Sequence, residues 1–287
     1  MQIGDIVVRK SYGKDITFKI IDIKEIGSKE NLILKGINIR IIADSSEEDL
    51  ELANDGECGS KDKILNTRVN EAIKNALRFR GELRDKVEKS GKIKNKQELM
   101  FGRPGRILHI DGDNEYMETC LKVYKQLSLD AVGRAIPEKE QPEVIVDIVK
   151  EVKPDIVVLT GHDSVVKDPK DYLDLKNYRN SEYYLESVKN LRNYNSSYDE
   201  LVIFAGACQS CYERILDVGA NFASSPNRVL IHCLDPVFVC EKIAYTRIDK
   251  VVSITDVIEN TITGIKGVGG LQTRGKYREG YPKSIYI

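Results

Sequence analysis

Two short segments of this chain end in side chains that together could cleave an acyl bond. Leu201-Val202-Ile203-Phe204 runs through Ala205-Gly206-Ala207 to Cys208, and Asp155-Ile156-Val157-Val158-Leu159 runs through Thr160-Gly161 to His162. An apolar run closed by small residues is the pattern of a buried parallel strand, and open α/β sheets present reactive groups at the C-terminal edge of such strands. A cysteine attacks as thiolate when a nearby base or cation favours that form, so a strand-end thiol beside a strand-end imidazole is a candidate dyad. Asp163, directly after His162, is a candidate to orient the imidazole. His109 and His232 sit inside apolar runs and read as hydrogen-bonded core residues.

The same cysteine fits other patterns, which stay open at this level. Cys208-Gln209-Ser210-Cys211 is a Cys-x-x-Cys between a strand and a helix, the context of a thioredoxin-like redox pair, although the chain has no Trp. Cys208 and Arg214 have the Cys-x5-Arg spacing of cysteine-dependent phosphatases, but Glu213 sets a carboxylate beside the anion such a loop must hold. A zinc site from Cys208, Cys211 and His232 or Cys233 lacks a second well-spaced pair. Cys120, Cys233 and Cys240 suit the role of buried structural thiols.

Positioning such a pair requires a sheet, and the sequence alternates strand and helix signals from residue 104 onward. Strands are expected at Arg106 to Asp111, Ile156 to Thr160, Leu201 to Phe204, Val229 to Leu234 and Val251 to Ile254. Helices are expected at Asn114 to Leu129, Pro142 to Val152, Ser181 to Arg192 and from Cys208 to about Asp217. This alternation predicts a mainly parallel sheet with helices on both faces, and right-handed crossovers then align the strand ends Asp111, His162, Cys208 and Asp235. Before it, short β-like runs at Gln2 to Arg9, Ile16 to Ile26 and Asn31 to Ile42 predict a small barrel or curled antiparallel sheet over residues 1–55, either a partner-binding module or a packing cap. Residues 56–103 read as a charged helical linker, with Ile73, Ala76, Leu77 and Arg80 at helical spacing. The α/β domain is expected to occupy 104–287.

Composition narrows the class. The chain has 287 residues, 41% of them hydrophobic, enough for a substantial core. Its 44 basic and 45 acidic residues give a formal charge of -1, so no global charge points to nucleic acid or an anionic membrane. No apolar run approaches the roughly 20 residues that span a bilayer, and the N-terminal MQIGDIVVRK lacks a signal-peptide core, which predicts a protein kept inside the cell. Six cysteines are too few at this length for a disulfide scaffold.

An apolar block ending at a His beside a Gly, then one ending in Ala-Cys 46 residues later (208 minus 162), resembles the caspase, legumain and gingipain group of cysteine peptidases. The whole chain, with its β-rich start and the strings TGHDS and FAGACQS, is similar to the YabG family of sporulation-specific proteases of endospore-forming bacteria. The resemblance implies a caspase-like three-layer fold and a cysteine endopeptidase needing no metal or organic cofactor. It also implies protein substrates of the spore coat or cortex machinery, cleavage after arginine, and a place in the mother-cell cytoplasm and spore coat. In the wider group a glycine follows the catalytic histidine, whereas here Gly161 precedes His162 and Asp163 follows it. The Cys208 N–H at a helix N-terminus is then one expected oxyanion donor, and Gly161 or Asp163 the second. Carried over residue by residue, the substrate pocket falls on Asp111 or Asp113, Gly206 and Asp235, whose carboxylates would receive a guanidinium. The competing class is a binding protein that uses its N-terminal module and carries a degenerate enzyme domain.

Overall fold

Apolar runs flanked by small residues become the inner strands of a six-stranded sheet in the computed structural model, which describes residues 1–26, 29–53, 59–89 and 100–284. Cys58 and the parts of the expected linker at 54–58 and 90–99 lie outside the described residues. The strands of this sheet are β7 (Ile107–Asp111), β8 (Ala131–Ala135), β9 (Ile156–Thr160), β10 (Val202–Ala205), β11 (Phe222–Ser224) and β12 (Val268–Gly270), in the order β12-β11-β10-β9-β7-β8. All neighbours are parallel except β11 and β12, so the fold is mixed α/β around a mainly parallel sheet. A separate antiparallel pair, β6 (Phe101–Arg103) with β13 (Arg278–Gly280), joins the start of the domain to its end. No helix among the described residues is long and apolar enough to cross a membrane.

Strand pleating divides the core into two layers. Ile107, Ile156, Val158, Val202 and Phe204 face one side, where helices α2 (Asn114–Gln126) and α6 (Asp235–Tyr245) pack. Leu108, Ile110, Val157, Leu159, Ile203 and Ala205 face the other, against α3 (Gln141–Val152), α4 (Ser181–Tyr194) and the short α5 (Tyr212–Asp217). Inner strands buried on both faces must be apolar throughout, which is why they were readable as continuous runs.

Two expected strands are not formed. From 231 to 234 the backbone N–H groups go to partners outside any ladder: Ile231 donates to Cys208 Sγ, His232 to Asp235 and Thr263, Cys233 to the Asn38 carbonyl and Leu234 to His232 Nδ1. Val251 makes only an isolated bridge to Arg274, and helix α7 begins at Ile254 (Ile254–Glu259). Asp235 therefore opens α6, with Pro236 in its first turn, and does not end a strand. The sheet is completed by β8, β11 and β12, of which β11 and β12 are three residues each.

The N-terminal module is a five-stranded antiparallel sheet in the order β4-β3-β2-β1-β5, with β1 (Ile6–Arg9), β2 (Thr17–Ile26), β3 (Lys29–Gly36), β4 (Ile42–Ser45) and β5 (Leu50–Leu52). The segment between β3 and β4 docks on the C-terminal edge of the large sheet. Arg40 forms a two-pronged pair with Asp111 at 2.9 and 2.6 Å, both side chains fully buried. Around it Lys35 pairs with Asp113 at 2.6 Å, and the Tyr116 hydroxyl donates to the carbonyls of Gly36 and Ile39. Helix α1 (Ser60–Lys89) also packs on the α/β domain, through Ala72 and Ala76, and Arg80 stacks over Tyr245 and pairs with Glu241. Leu77, expected on the apolar face, is exposed instead.

Burial alone would raise the Asp111 pKa, but the Arg40 guanidinium holds it well below the usual carboxylate range. A carboxyl whose folded pKa is depressed contributes stability that is present above its unfolded value of about 3.9 and is lost as pH falls below it. Arg40→Met should cost about 3–5 kcal/mol in urea unfolding at neutral pH, because Asp111 is left charged and buried without a partner. The Arg40→Met/Asp111→Asn double variant should recover part of that loss and flatten the stability decline below pH 4; equal losses in single and double variants would contradict this account.

Candidate functional site

The register of β9 and β10 leads the loops that carry His162 and Cys208 off neighbouring strand ends. In β9 and β10 Leu159 pairs with Ala205, and one residue further the Thr160 hydroxyl donates to the Gly206 carbonyl at 3.0 Å. His162 and Cys208 come next, on adjacent loops. Tyr116 lies beside His162, its ring centroid 5.8 Å from that of the imidazole.

Asp163 ties the loops together. One carboxylate oxygen accepts from the backbone N–H groups of Ser164 and Asn180, each at 2.8 Å. The other accepts from the Ser181 hydroxyl at 2.5 Å and from the Ser210 hydroxyl at 2.8 Å. Ser210 Oγ in turn receives the Ala207 N–H, and Ser181 Oγ the Cys211 N–H, both at 2.8 Å. The four donors to Asp163 thus come from its own loop (Ser164), the α4 N-terminus (Asn180, Ser181) and the Cys208 loop (Ser210), none being the imidazole, so its contribution is to hold the two loops in register. Burial raises its pKa, against which these donors act.

The thiol itself is enclosed. Cys208 is 1% exposed, with the Ile231 N–H donating to Sγ at 3.2 Å and the Ile231 carbonyl 3.9 Å away. Burial pushes its pKa up to about 12, opposed by the Ile231 N–H and by Arg40. Helix α5 begins at Tyr212, so the Cys208 N–H does not lie at a helix N-terminus, and the expected dipole assistance to an oxyanion is absent. Instead Cys208 and Gln209 form a turn, with Gln209 at φ +57° and its N–H shared between Ser225 Oγ and the Val229 carbonyl. That left-handed residue turns the chain back on itself between strand and helix.

His162 sits between two carboxylates. Its Nε2 lies 3.7 Å from Asp113, its Nδ1 lies 3.9 Å from Glu138, and its backbone N–H donates to Glu138 at 2.6 Å. Its carbonyl is held by Asn180 and Tyr184. Burial lowers its pKa, helped by Arg40 and opposed by Asp113, Glu138 and Asp111.

The remaining predicted positions are each engaged within the fold. Asp111 holds Arg40 and also accepts the Asp113 N–H. Asp113 caps α2, accepting from Glu115 and Tyr116. Asp235 is fully buried under four donors, from His232, Ile262 and Thr263, and clasps the 260s loop. Gly206 has φ +106°, and a side chain there would meet Ile215, Ser210 and Ser224 at 3.3 Å, so the glycine serves the turn and not an open slot. Gly161, at φ +156°, leaves room for the Glu138 carboxylate, with which a Cβ would collide. Sequence reasoning missed Glu138, Ser181, Ser210 and Arg40; the only hint was the small-residue run after β10. Cys211 Sγ points to the Tyr172 carbonyl and Arg214 to the Leu173 carbonyl, so neither converges on Cys208 as a redox or phosphatase partner would.

If Ser210 is the tie between loops, Ser210→Ala should cost about 1–3 kcal/mol, since it strands the Ala207 N–H and removes a donor from buried Asp163. Ser187, whose hydroxyl is buried without a partner, provides the control, and Ser187→Ala should be nearly neutral. Equal denaturation midpoints for the two variants would argue against the tie.

A family model described as YabG peptidase U57 matches residues 2–282. The chain is 41% identical over 283 residues to the sporulation-specific protease YabG of Bacillus subtilis (strain 168), covering 98% of each sequence. A family match over residues 2–282 and 41% identity across nearly the full length place this protein in the YabG peptidase U57 family.

Proposed function

We propose that the protein is a caspase-like cysteine endopeptidase of sporulation, with Cys208 as nucleophile and His162 as general base and acid. The observation that carries this reading is the β9–β10 register, which sets the two residues on neighbouring loops held together by Asp163. In the reaction the Cys208 proton passes to His162 as Sγ attacks the scissile carbonyl. His162 then gives the proton to the departing amine, and water hydrolyses the thioester. A buried thiol with a raised pKa requires this base, because it does not ionise unaided near neutral pH.

The substrates are proteins of the spore coat or cortex machinery, in keeping with the sporulation-specific relative, and cleavage occurs after arginine. Among the three candidate carboxylates, Asp113 fits a substrate guanidinium best. Its Oδ1 pairs with Lys35 and caps α2, but its Oδ2 faces His162 in a partly exposed side chain, whereas Asp111 and Asp235 are fully buried and filled. Asn caps helices as well as Asp does, so Asp113→Asn removes the charge while sparing α2.

Purified protein should cleave an arginine peptide, and Cys208→Ala and His162→Ala should each abolish cleavage while Cys211→Ala keeps most of it. Asp113→Asn should lose arginine cleavage by roughly a hundredfold, yet still react with a small thiol-directed inhibitor. Cleavage retained by Cys208→Ala and lost by Cys211→Ala would overturn the nucleophile assignment. Because burial lowers the His162 pKa, the acid limb of kcat/KM should fall below pH 6.5.

A further inference from the structure

The Glu138 carboxylate receives the backbone N–H of His162 itself. It lies in a single 3-10 turn, Glu138–Glu140, that comes after Pro137 and leads into α3. Its Oε1 receives the His162 N–H at 2.6 Å and stands 3.9 Å from His162 Nδ1. Its side chain is 14% exposed, and among the described residues its ion-pair contact is with His162. Two glycines from different strand ends make the space it fills. A Cβ at Gly112, after β7, or at Gly161, after β9, would collide with the carboxylate. Gly161 has the additional demand of a left-handed backbone, but Gly112 has no such φ, so its lack of a side chain is explained by the carboxylate alone.

We infer that Glu138 is a positioning residue for His162: it fixes the histidine loop through the backbone N–H and orients the ring through Nδ1, leaving Nε2 to exchange the proton with Cys208. The inference rests on the proposed cysteine-peptidase reading. The geometry supports it in two ways. Nδ1 stands 3.9 Å from Glu138 and Nε2 3.7 Å from Asp113, and a proton held on Nδ1 by the Glu138 charge puts the base lone pair on Nε2, which has no hydrogen-bond partner among the described residues. When Nε2 takes the thiol proton, the imidazolium gains a carboxylate on its far side, which favours that form at the moment of attack. The other charged groups around the ring are Arg40, which opposes protonation, and Asp113 and Asp111, which favour it. Lys35 and Arg40 already pair with those two aspartates, and Glu138 is the remaining acidic neighbour not paired with a lysine or arginine among the described residues.

The test uses the full chain and two readouts. Glu138→Gln keeps an oxygen for the His162 N–H but removes the charge. With an arginine peptide it should lower kcat by between about tenfold and a hundredfold, with KM within about twofold, and shift the acid limb of kcat/KM to lower pH. In a Cys208→Ala background, NMR titration of the His162 ring should show a lower pKa with Gln at 138 than with Glu, an outcome independent of any peptidase activity. Gly112→Ala, which keeps the charge but pushes a methyl into the carboxylate, should lower kcat as well. Combined with Glu138→Gln it should do little further harm, since both act through one contact. If Glu138→Gln and Gly112→Ala both fold and leave kcat, the pH profile and the His162 titration at parent values, Glu138 has no part in positioning and the inference is overturned. If the His162 pKa falls in the Cys208→Ala background while no variant or parent cleaves peptides, the positioning stands and the peptidase reading fails.

Discussion

The pair between Arg40 and Asp111 is the interaction on which the arrangement of this protein depends. Moving two charges out of water costs several kcal/mol each, and only close, two-pronged geometry with the remaining lone pairs satisfied offsets that. Here the geometry is close, Asp111 accepting two guanidinium bonds and the Asp113 N–H with His109 Nε2 3.6 Å away, while Arg40 Nε is buried without a hydrogen-bond partner among the described residues. A pair of this kind adds little net stability over an apolar substitute, but it is intolerant of displacement. It therefore fixes where the N-terminal sheet sits on the large one more sharply than the apolar contacts beside it. Since Asp111 ends β7 and its neighbours Asp113 and Tyr116 border His162, the docking of the small module and the surroundings of the imidazole form one unit.

This changes the reading of the small module. Composition and turn spacing allow either a partner-binding barrel or a packing cap. The contacts of Lys35, Asn38, Ile39 and Arg40 make residues 35–40 part of the wall around the candidate site. Arg40 also acts electrostatically on Cys208, His162 and His232. One buried cation thus biases the thiol toward ionisation and both imidazoles toward neutrality, the direction a base-assisted attack requires.

How much of this was readable depends on the range of the interactions. Strands β7, β9 and β10 announce themselves because burial on both faces makes them mostly apolar, with only His109, Asp111 and Thr160 polar, and the candidate dyad was legible because His162 and Cys208 stand just past the ends of the last two. The 231–234 segment was misread because its apolar composition is the same whether the N–H groups enter a ladder or meet side chains such as Cys208, Asp235 and Thr263. Glu138 and Arg40 were invisible because their partners are 24 and 71 residues away and their own neighbours, Pro137-Glu138-Lys139 and Ile39-Arg40-Ile41, look like ordinary loop and strand sequence. Asp163 was found for its position beside His162, yet its carboxylate turns to four other donors, Ser164, Asn180, Ser181 and Ser210, in place of the imidazole.

The protonation states of the resting pair constrain the mechanism further. Burial raises the Cys208 pKa and lowers that of His162, so both shifts favour neutral thiol and neutral imidazole over a thiolate–imidazolium pair. Separated charges in this enclosure would need mutual contact to repay their desolvation, and Cys208 Sγ is bonded to the Ile231 backbone instead. In the proposed mechanism ionisation therefore belongs to the attack itself, when the developing oxyanion and imidazolium appear together and the surrounding carboxylates stabilise the latter.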